Sequence, residues 1–587
     1  MKKNFFAQHE SALNQIRGFS TDTKDFRWYA DSVPCRTACP ADTDIPGYLE
    51  AIYKKDFDKA YQINLEDNVF PEILGRVCSR PCEDGCRHAE DNNGDSLAIC
   101  FSKRSSGDHK SKSKTFKVKT LAPKTNKKIA VIGSGVAGLT CARELKRFGH
   151  DVDVFEKHKS PGGMLNQGIP VFRLPRKVIE KEIKQITEMG IKIFCRFNIA
   201  TQRELDILAQ QYDAVVLAMG TLKPNKINAV FSGCEQVEDG LDFLLRTNEQ
   251  NSKFVGKNVV VIGGGYTAMD CSRTALRLGA SSVKTFYRRD IGDLVILPGE
   301  LEELRNEKGV MKFNARPIDL VLKNNKLVGL ELIKTKIKKI KGRIKLTDIR
   351  GSKFTIKTDH VILAIGQKQD LETIKKINLH KQKIKNSIIN FKLQKNIFVA
   401  GDYALGATTL IDAIGHAKAA ADTVDNHLMK RKLKKESVFV NDIKTTNRNL
   451  EMNYIPINKM STLKFKERSF SKEVELGFNR SQSTNEASRC YLCHYKFEID
   501  NTLCVLCDEC LLVKPVENCI VETDKTSTHE TGEVSYSRID ALKTNGIYHG
   551  KLYIDHKKCV RCGECERVCP TNAITIQKIE KRINAEI

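Results

Sequence analysis

Lys128-Ile129-Ala130-Val131-Ile132-Gly133-Ser134-Gly135-Val136-Ala137-Gly138 is the stretch that decides the fold. Five residues of strand character run into three glycines spaced G-x-G-x-x-G, and a helical segment follows. The glycines allow a tight turn, close approach of backbone to a pyrophosphate and tight packing of the helix, whose N-terminus turns its partial positive charge to the phosphates. The next strand, Asp151 to Phe155, ends at Glu156, where an acid meets a ribose hydroxyl. Strand, glycines, helix and acid predict a dinucleotide site built on Gly133, Gly135, Gly138 and Glu156.

A second unit repeats the pattern: Asn258-Val259-Val260-Val261-Ile262, then Gly263-Gly264-Gly265-Tyr266-Thr267-Ala268, with Gly263, Gly265 and Ala268 as its cradle. The strand after it, Ser282 to Tyr287, ends in Arg288-Arg289 rather than an acid. Arginines there suit a 2′-phosphate and favour NADPH over NADH; the alternative is two surface arginines. Tyr212–Thr221 and His360–Gly366 read as strands ending at glycine turns, where the chain crosses between subdomains. Asn396 to Asp402 has the form of a late FAD motif, with Gly401 and Asp402 near the flavin's ribityl and pyrophosphate. Residues 116–430 are therefore expected to form an FAD/NAD(P)-binding domain, the NAD(P) part at about 222–365. Cys141, Cys195, Cys234 and Cys271 in this region contain no C-x-x-C pair. That argues against a redox-active disulfide, and Cys141 and Cys271, each early in a helix that opens a dinucleotide fold, read as packing residues.

At 587 residues the chain is long enough for two to four domains. No apolar run reaches the length of a membrane span, and the start, Met1 to Phe6, lacks an export signal, so no membrane span and a cytoplasmic location are expected. The net charge of +25 is spread over lysine runs at 334–345, 375–395 and 430–435, without a nucleic-acid module. No nucleic acid is expected as partner, and a basic docking surface for an acidic redox partner fits the charge better. Of the 20 cysteines, six lie between Cys35 and Cys100 and ten between Cys490 and Cys569. Such clusters at both ends of a chain without an export signal point to metal rather than disulfides.

Residues 1–115 read as a helical iron–sulfur domain, with a helical stretch at Ile45–Asn64 and a polar linker at Ser102–Lys128. Residues 431–500 read as a weakly periodic linker carrying Cys490-x2-Cys493, and residues 501–587 as a ferredoxin-like α+β domain. Its last motif, Cys559-x2-Cys562-x2-Cys565-x3-Cys569-Pro570, is the bacterial ferredoxin run, in which three thiolates hold one cluster and the fourth crosses to its neighbour. The partner run, Cys504-x2-Cys507-x2-Cys510, has Lys514 where a fourth cysteine is expected, and Cys519 stands five residues later. Cys504, Cys507, Cys510 and Cys569 then hold one cluster, and Cys559, Cys562, Cys565 and Cys519 the other. A three-iron or absent cluster, with Cys519 merely buried, stays open.

The chain resembles the glutamate synthase small (β) subunit family, whose cluster domain is shared with dihydropyrimidine dehydrogenase. The resemblance runs over residues about 30–430 and rests on Cys39-Pro40, Ile45-Pro46-Gly47-Tyr48, Gly75-Arg76-Val77-Cys78, Pro161-Gly162-Gly163-Met164-Leu165, Gly168-Ile169-Pro170, Arg173-Leu174-Pro175, Gly264 to Asp270 and Tyr287-Arg288-Arg289. It brings Gly163 and Leu165 into the cofactor site. That family carries a C-x-x-C preceded by Glu-Ala-x-Arg just upstream of the position of Cys35. Here the stretch Arg27 to Asp31 has none, and Glu486-Ala487-Ser488-Arg489-Cys490 supplies it instead. The resemblance thus implies that Cys490 and Cys493 fold back to join Cys35 and Cys86. A second cluster takes Cys39, Cys78 and Cys82, with Cys100 replacing the Gln or Glu that relatives place near Lys103.

The fused ferredoxin, the relocated C-x-x-C and the segment Leu512 to Glu517 are more narrowly similar to the DsrL-type NAD(P)H:acceptor oxidoreductases, which partner dissimilatory sulfite reductase in sulfur-oxidising bacteria. That implies FAD passing electrons between a two-electron nicotinamide and about four one-electron [4Fe-4S] clusters, with no catalytic side chain beyond those that hold cofactors. The alternative is an electron-supplying small subunit of NADPH-dependent glutamate synthase. A homodimer is left open.

Overall fold

A computed structural model describes residues 26–587, apart from residues 91–93, 228–230, 250–253, 255, 298, 341–342, 371–390, 529–533, 539–549 and 586–587. Met1 to Phe6 and much of the lysine run 375–395 lie outside the described residues. The chain divides into two compact units: residues 124–430 with 461–476, and residues up to Pro123 with 431–460 and 477–587.

The first of these units is α/β, with two parallel five-stranded sheets. One has the order Ile397–Val399, Ala214–Leu217, Lys128–Ile132, Asp151–Glu156, Lys192–Cys195. The other has Val237–Asp239, His360–Leu363, Asn258–Ile262, Ser282–Phe286, Val310–Lys312. The central strands are buried along almost their whole length, as strands covered on both faces must be. Each central strand feeds a twelve-residue helix, Val136–Arg147 or Tyr266–Arg277. The chain leaves the first sheet after Leu217 and re-enters at Ile397, and an antiparallel pair, Lys223–Pro224 with Gln367–Lys368, lies on the crossing. A three-stranded antiparallel sheet, Ala315–Lys323, Lys326–Ile340 and Arg343–Lys357, follows the second. Cys141 and Cys271 are fully buried in the two twelve-residue helices.

The other unit joins both ends of the chain. Asp44 and Asp56 cap the helices Ile45–Tyr53 and Phe57–Asn68 by accepting from the amides of Gly47 (3.2 Å) and Lys59 (2.9 Å). The expected linker at Ser102–Lys128 is corrected: its first residues belong to a helix, Ile99–His109, with residues 102–107 buried. The hydroxyls of Ser102, Ser105 and Ser106 donate to carbonyls three or four residues back at 2.7–3.0 Å. Small side chains let this helix lie close against Pro71–Val77, since a Cβ at Gly75 would fall 2.6 Å from the Cα of Arg104. Polar composition thus hid a buried helix.

The weakly periodic stretch after 430 holds a further difference. Lys434–Ile443 is a strand, paired antiparallel with the last strand, Ile574–Ala585, which also pairs with Tyr495–Ile499.

What draws the two chain ends together is polar and buried. Glu486, fully buried, accepts from the amides of Ala98 (2.9 Å) and Asn458 (2.8 Å) and pairs with Arg489 at 2.7 Å. Arg489 in turn donates to the carbonyls of Asp95 (2.7 Å), Ser96 (3.3 Å) and Ile455 (3.0 Å). Glu50, on the helix Ile45–Tyr53, receives Tyr495 Oη and Lys578 Nζ, each at 2.8 Å.

Removing one partner of a buried pair leaves the other charge uncompensated, at about 3–5 kcal/mol. Glu486→Ala is therefore expected to lower the urea midpoint of this unit's unfolding by that order and to open residues 477–500 to protease. Unchanged unfolding and proteolysis would show that the clamp is not needed.

Candidate functional site

In the first dinucleotide fold the glycines are required by space. Gly133 sits at φ +102°, and a Cβ at Gly138 would fall 1.8 Å from the Gly133 carbonyl oxygen. A Cβ at Gly163 would fall 2.9 Å from the Cα of Gly135, so the turn carrying Gly163 closes on the loop, with Leu165 fully buried behind it. A Cβ at Gly135 itself would meet nothing within 4 Å, leaving open space at the N-terminus of the helix Val136–Arg147. Glu156 stands where the pattern places it, at the strand end. Its carboxylate already accepts from Ser134 N (3.0 Å), Ser134 Oγ (2.5 Å) and His158 N (2.8 Å), so it also fixes the loop.

Gly401, at φ +65°, packs so closely that a Cβ there would fall 2.3 Å from the Cβ of Ala137. This puts Asp402 beside the same helix N-terminus. Burial pushes the Asp402 carboxyl up to about 6, against the hydrogen bond from Thr408 Oγ1 at 2.5 Å. An open helix N-terminus floored by glycines, with an acid beside it, fits the pyrophosphate and ribityl of FAD.

The second fold is built alike. Gly263 lies at φ +154°, with the Ala364 carbonyl oxygen 2.2 Å from where a Cβ would stand, while Gly265 faces open space. Ala268 is fully buried in the first turn of the helix. Arg288 is exposed and Arg289 half-buried, and among the described residues no carboxylate pairs with either. Two free guanidinium groups at this strand end fit a 2′-phosphate. Arg173 was not singled out as a site residue, yet it pairs with Asp270 at 2.8 Å and Glu300 at 2.5 Å, joining the two nucleotide folds.

The end-region cysteines are all free thiols. Burial raises the Cys35 thiol, and its neighbours Cys493, Cys86, Cys490 and Cys82 act the same way; Cys490 is raised by burial, then by Cys493 and Cys86. The structure therefore brings Cys35, Cys86, Cys490 and Cys493 together from both chain ends. Cys39, Cys78, Cys82 and Cys100 form a second group: burial and Cys78 are among the influences that push Cys100 up to about 12. Lys103, almost fully buried, has these four thiols as its charged neighbours.

Cys519, Cys559, Cys562 and Cys565 line one small cavity, closed by Phe497 and Pro515. Cys504, Cys507, Cys510 and Cys569 form the fourth group. Lys514, at the position where the ferredoxin run would have a cysteine, donates to the Ile520 carbonyl at 3.1 Å, and Cys519 lies with Cys559, Cys562 and Cys565. Despite burial, backbone amides of Thr571 and Ala573 hold the Cys569 thiol below its usual value.

The four groups are neighbours in series. Cys82 of the second group acts on Cys35 of the first. Arg87 reaches the Cys493 sulfur (4.0 Å) and the Cys559 carbonyl (3.3 Å), and Arg448 the carbonyls of Cys490 and Val560, each at 2.8 Å. Cys510 of the fourth group acts on Cys565 of the third.

Three of the five C-x-x-C turns, those opening at Cys490, Cys504 and Cys559, share one unusual backbone: Leu492, Leu506 and Arg561, each just before the second cysteine, lie at φ +53°, +52° and +54°. A left-handed non-glycine residue costs of order 1 kcal/mol. It turns successive amides inward, as where the Leu492 N–H donates to the Cys490 sulfur at 3.4 Å. Among the described residues no three His, Cys, Asp or Glu side chains close on one point as ligands of a single ion do.

Two nested nucleotide folds and grouped thiols define a nicotinamide-linked iron–sulfur flavoprotein. The comparisons give the family. Residues 127–423 match the model of pyridine nucleotide-disulphide oxidoreductases, residues 28–115 that of dihydropyrimidine dehydrogenase domain II with its 4Fe-4S cluster, and residues 552–575 a 4Fe-4S binding domain. The chain is 32% identical over 514 residues to the NADPH-Fe(3+) oxidoreductase subunit beta of Geobacter sulfurreducens, covering 79% of this chain and 75% of that one. It is 33% identical over 429 residues to the glutamate synthase [NADPH] small chain of Escherichia coli (67% and 88%). With the NADP(+)-dependent formate dehydrogenase subunit beta of Moorella thermoacetica it shares 31% over 426 residues (68% and 60%). The chain belongs to the pyridine nucleotide-disulphide oxidoreductase family, in its glutamate synthase small subunit-like iron–sulfur branch, and is an FAD-dependent NAD(P)H oxidoreductase with 4Fe-4S clusters.

Because the Asp402 carboxyl is raised from 3.8 to about 6 in the fold, the folded state holds the proton more tightly than the unfolded one. Stability is thus lost as pH rises from about 4 to 6 and stays lost above. Asp402→Asn is expected to raise the melting temperature of flavin-free protein at pH 8 and to raise it clearly less at pH 4.5. Equal effects at both pH values would contradict the assignment.

Proposed function

We propose that the four thiol groups hold four [4Fe-4S] clusters that carry electrons in series between the flavoprotein domain and a protein partner. The observation that carries this reading is the assembly of all sixteen end-region cysteines into four neighbouring sets within one unit. Bound flavin supplies the exchange between a two-electron hydride and single electrons. The chain's own residues do the rest. Gly133, Gly135, Gly138, Gly163, Leu165, Glu156, Gly401 and Asp402 seat and orient the flavin nucleotide. Gly263, Gly265, Ala268, Arg288 and Arg289 seat the nicotinamide nucleotide, with NADPH favoured. Arg87 and Arg448 place positive charge between cluster sites and stabilise the reduced, more negative state.

The partner we propose is dissimilatory sulfite reductase, in cytoplasmic sulfur oxidation. Supporting it are the C-x-x-C carried at Cys490–Cys493 and the Lys514-Pro515 variant with Cys519 taking the ligand place. The second reading, the electron-supplying small subunit of glutamate synthase, draws on the identity to the Escherichia coli chain. Relatives named as beta subunits of an NADPH-Fe(3+) oxidoreductase and of an NADP(+)-dependent formate dehydrogenase support a protein redox partner of some kind.

Protein purified without oxygen is expected to hold about sixteen irons per chain, four for each four-thiol set, with NADPH bleaching their absorbance. It is expected to co-elute with sulfite reductase and speed its turnover. Iron near eight per chain would sink the four-cluster reading; full iron without sulfite-reductase association would sink only the choice of partner.

A further inference from the structure

The fourth thiol group differs from the others in its surroundings. Cys507 is exposed, Cys504 and Cys569 are half-buried and only Cys510 is buried, whereas in the neighbouring group Cys519, Cys562 and Cys565 are buried and only Cys559 is half-buried. Among the described residues, four of the seventeen exposed large hydrophobic side chains fall within residues 503–512: Leu503, Val505, Leu506 and Leu512, the last 76% exposed. An apolar concentration of this kind on an otherwise polar surface marks an interaction site. Its charge is also out of character with the chain. In a protein of net charge +25, residues 500–519 hold Asp500, Asp508, Glu509 and Glu517 against Lys514, and Lys514 is half-buried with its ammonium donating to the Ile520 carbonyl. All four acids are exposed.

We propose that Leu503, Val505, Leu506 and Leu512, rimmed by Asp500, Asp508, Glu509 and Glu517, form the docking face for an electron-transfer protein whose own apolar contact patch is edged with lysine or arginine. The choice of occupant follows from charge: the apolar centre excludes water beside the exposed cluster site, and the acidic rim steers a cationic partner and repels an anionic one. The basic surface expected from net charge alone is thus not the surface at the exposed cluster site. The proposal rests on the fourth thiol group holding a cluster. Electron-transfer encounters of this kind are small and transient, under about 1,200 Å² in buried area, so affinity should be weak and salt-dependent.

The test uses the cluster-loaded, flavin-loaded chain and cytochrome c, a lysine-rimmed one-electron acceptor, as probe. Three proteins are compared: wild type, Leu503→Ser/Leu512→Ser and Glu517→Lys. NADPH-driven reduction of ferricyanide, a small acceptor that needs no docking face, serves as the reference. The double variant is expected to raise KM for cytochrome c about tenfold, a loss of about 1.4 kcal/mol, with ferricyanide rates and iron content as in wild type. Glu517→Lys is expected to raise the same KM at low salt and to converge with wild type at high salt. Wild-type KM in both variants would overturn the docking face. So would a dimer of the wild-type chain that Leu512→Ser, alone and fully iron-loaded, dissociates, since the patch would then belong to a second copy. Loss of only the fourth group's iron in wild type would instead overturn the cluster reading beneath it.

Discussion

Everything at the cluster end of this molecule depends on one buried ion pair, Glu486 with Arg489. The two side chains stand one helical turn apart, and each spends its remaining hydrogen-bonding capacity on groups from elsewhere: backbone of Ala98, Asp95 and Ser96 on one side, and backbone of Ile455 with the backbone and side-chain amides of Asn458 on the other. A carboxylate and a guanidinium that are almost fully buried are tolerable only because every partner is in place. That requirement fixes where Cys490 begins, one residue past Arg489. The pair works less as a source of net stability than as a register device between segments nearly four hundred residues apart in the chain.

Once that register is set, backbone geometry does much of the remaining work. Leu492, Leu506 and Arg561 adopt the same left-handed conformation although none is glycine. The strain is small, and it aims amides at sulfur where thiolate charge must be borne. Burial opposes that charge: it raises Cys35, Cys82 and Cys565 well above an ordinary thiol. Thiols pressed together in this way are poor anions on their own, and a cationic iron–sulfur core is the species whose charge resolves the conflict. Arg87 and Arg448, set between groups, extend the same compensation along the series.

The nucleotide folds were legible because their physics is local. A strand, a turn that only glycine can make and a helix lie within about twenty residues, and the strand limits 128–132 and 258–262 agree with those read from sequence. What was hidden depends on distant contacts. The helix Ile99–His109 looked like linker because its buried serines satisfy themselves by back-bonding. The strand Lys434–Ile443 shows weak periodicity of its own and is ordered by pairing with the chain's last strand. Arg173 stood in the sequence only as part of the Arg173-Leu174-Pro175 resemblance, and its joining role was hidden because its partners Asp270 and Glu300 are set by the fold. The grouping of Cys490 with Cys35 came from a displaced motif rather than from any local signal.

Shared occupancy of one cluster by Cys35 and Cys490 is the claim on which the account stands. The direct measurement is iron per chain, with the cluster signals of the reduced protein, in Cys35→Ser, Cys490→Ser and the double variant prepared without oxygen. If both thiols serve one [4Fe-4S] site, each single variant loses about four irons and the double variant loses the same four. If the double variant loses about eight, the two cysteines belong to different clusters and the folded-back arrangement is wrong.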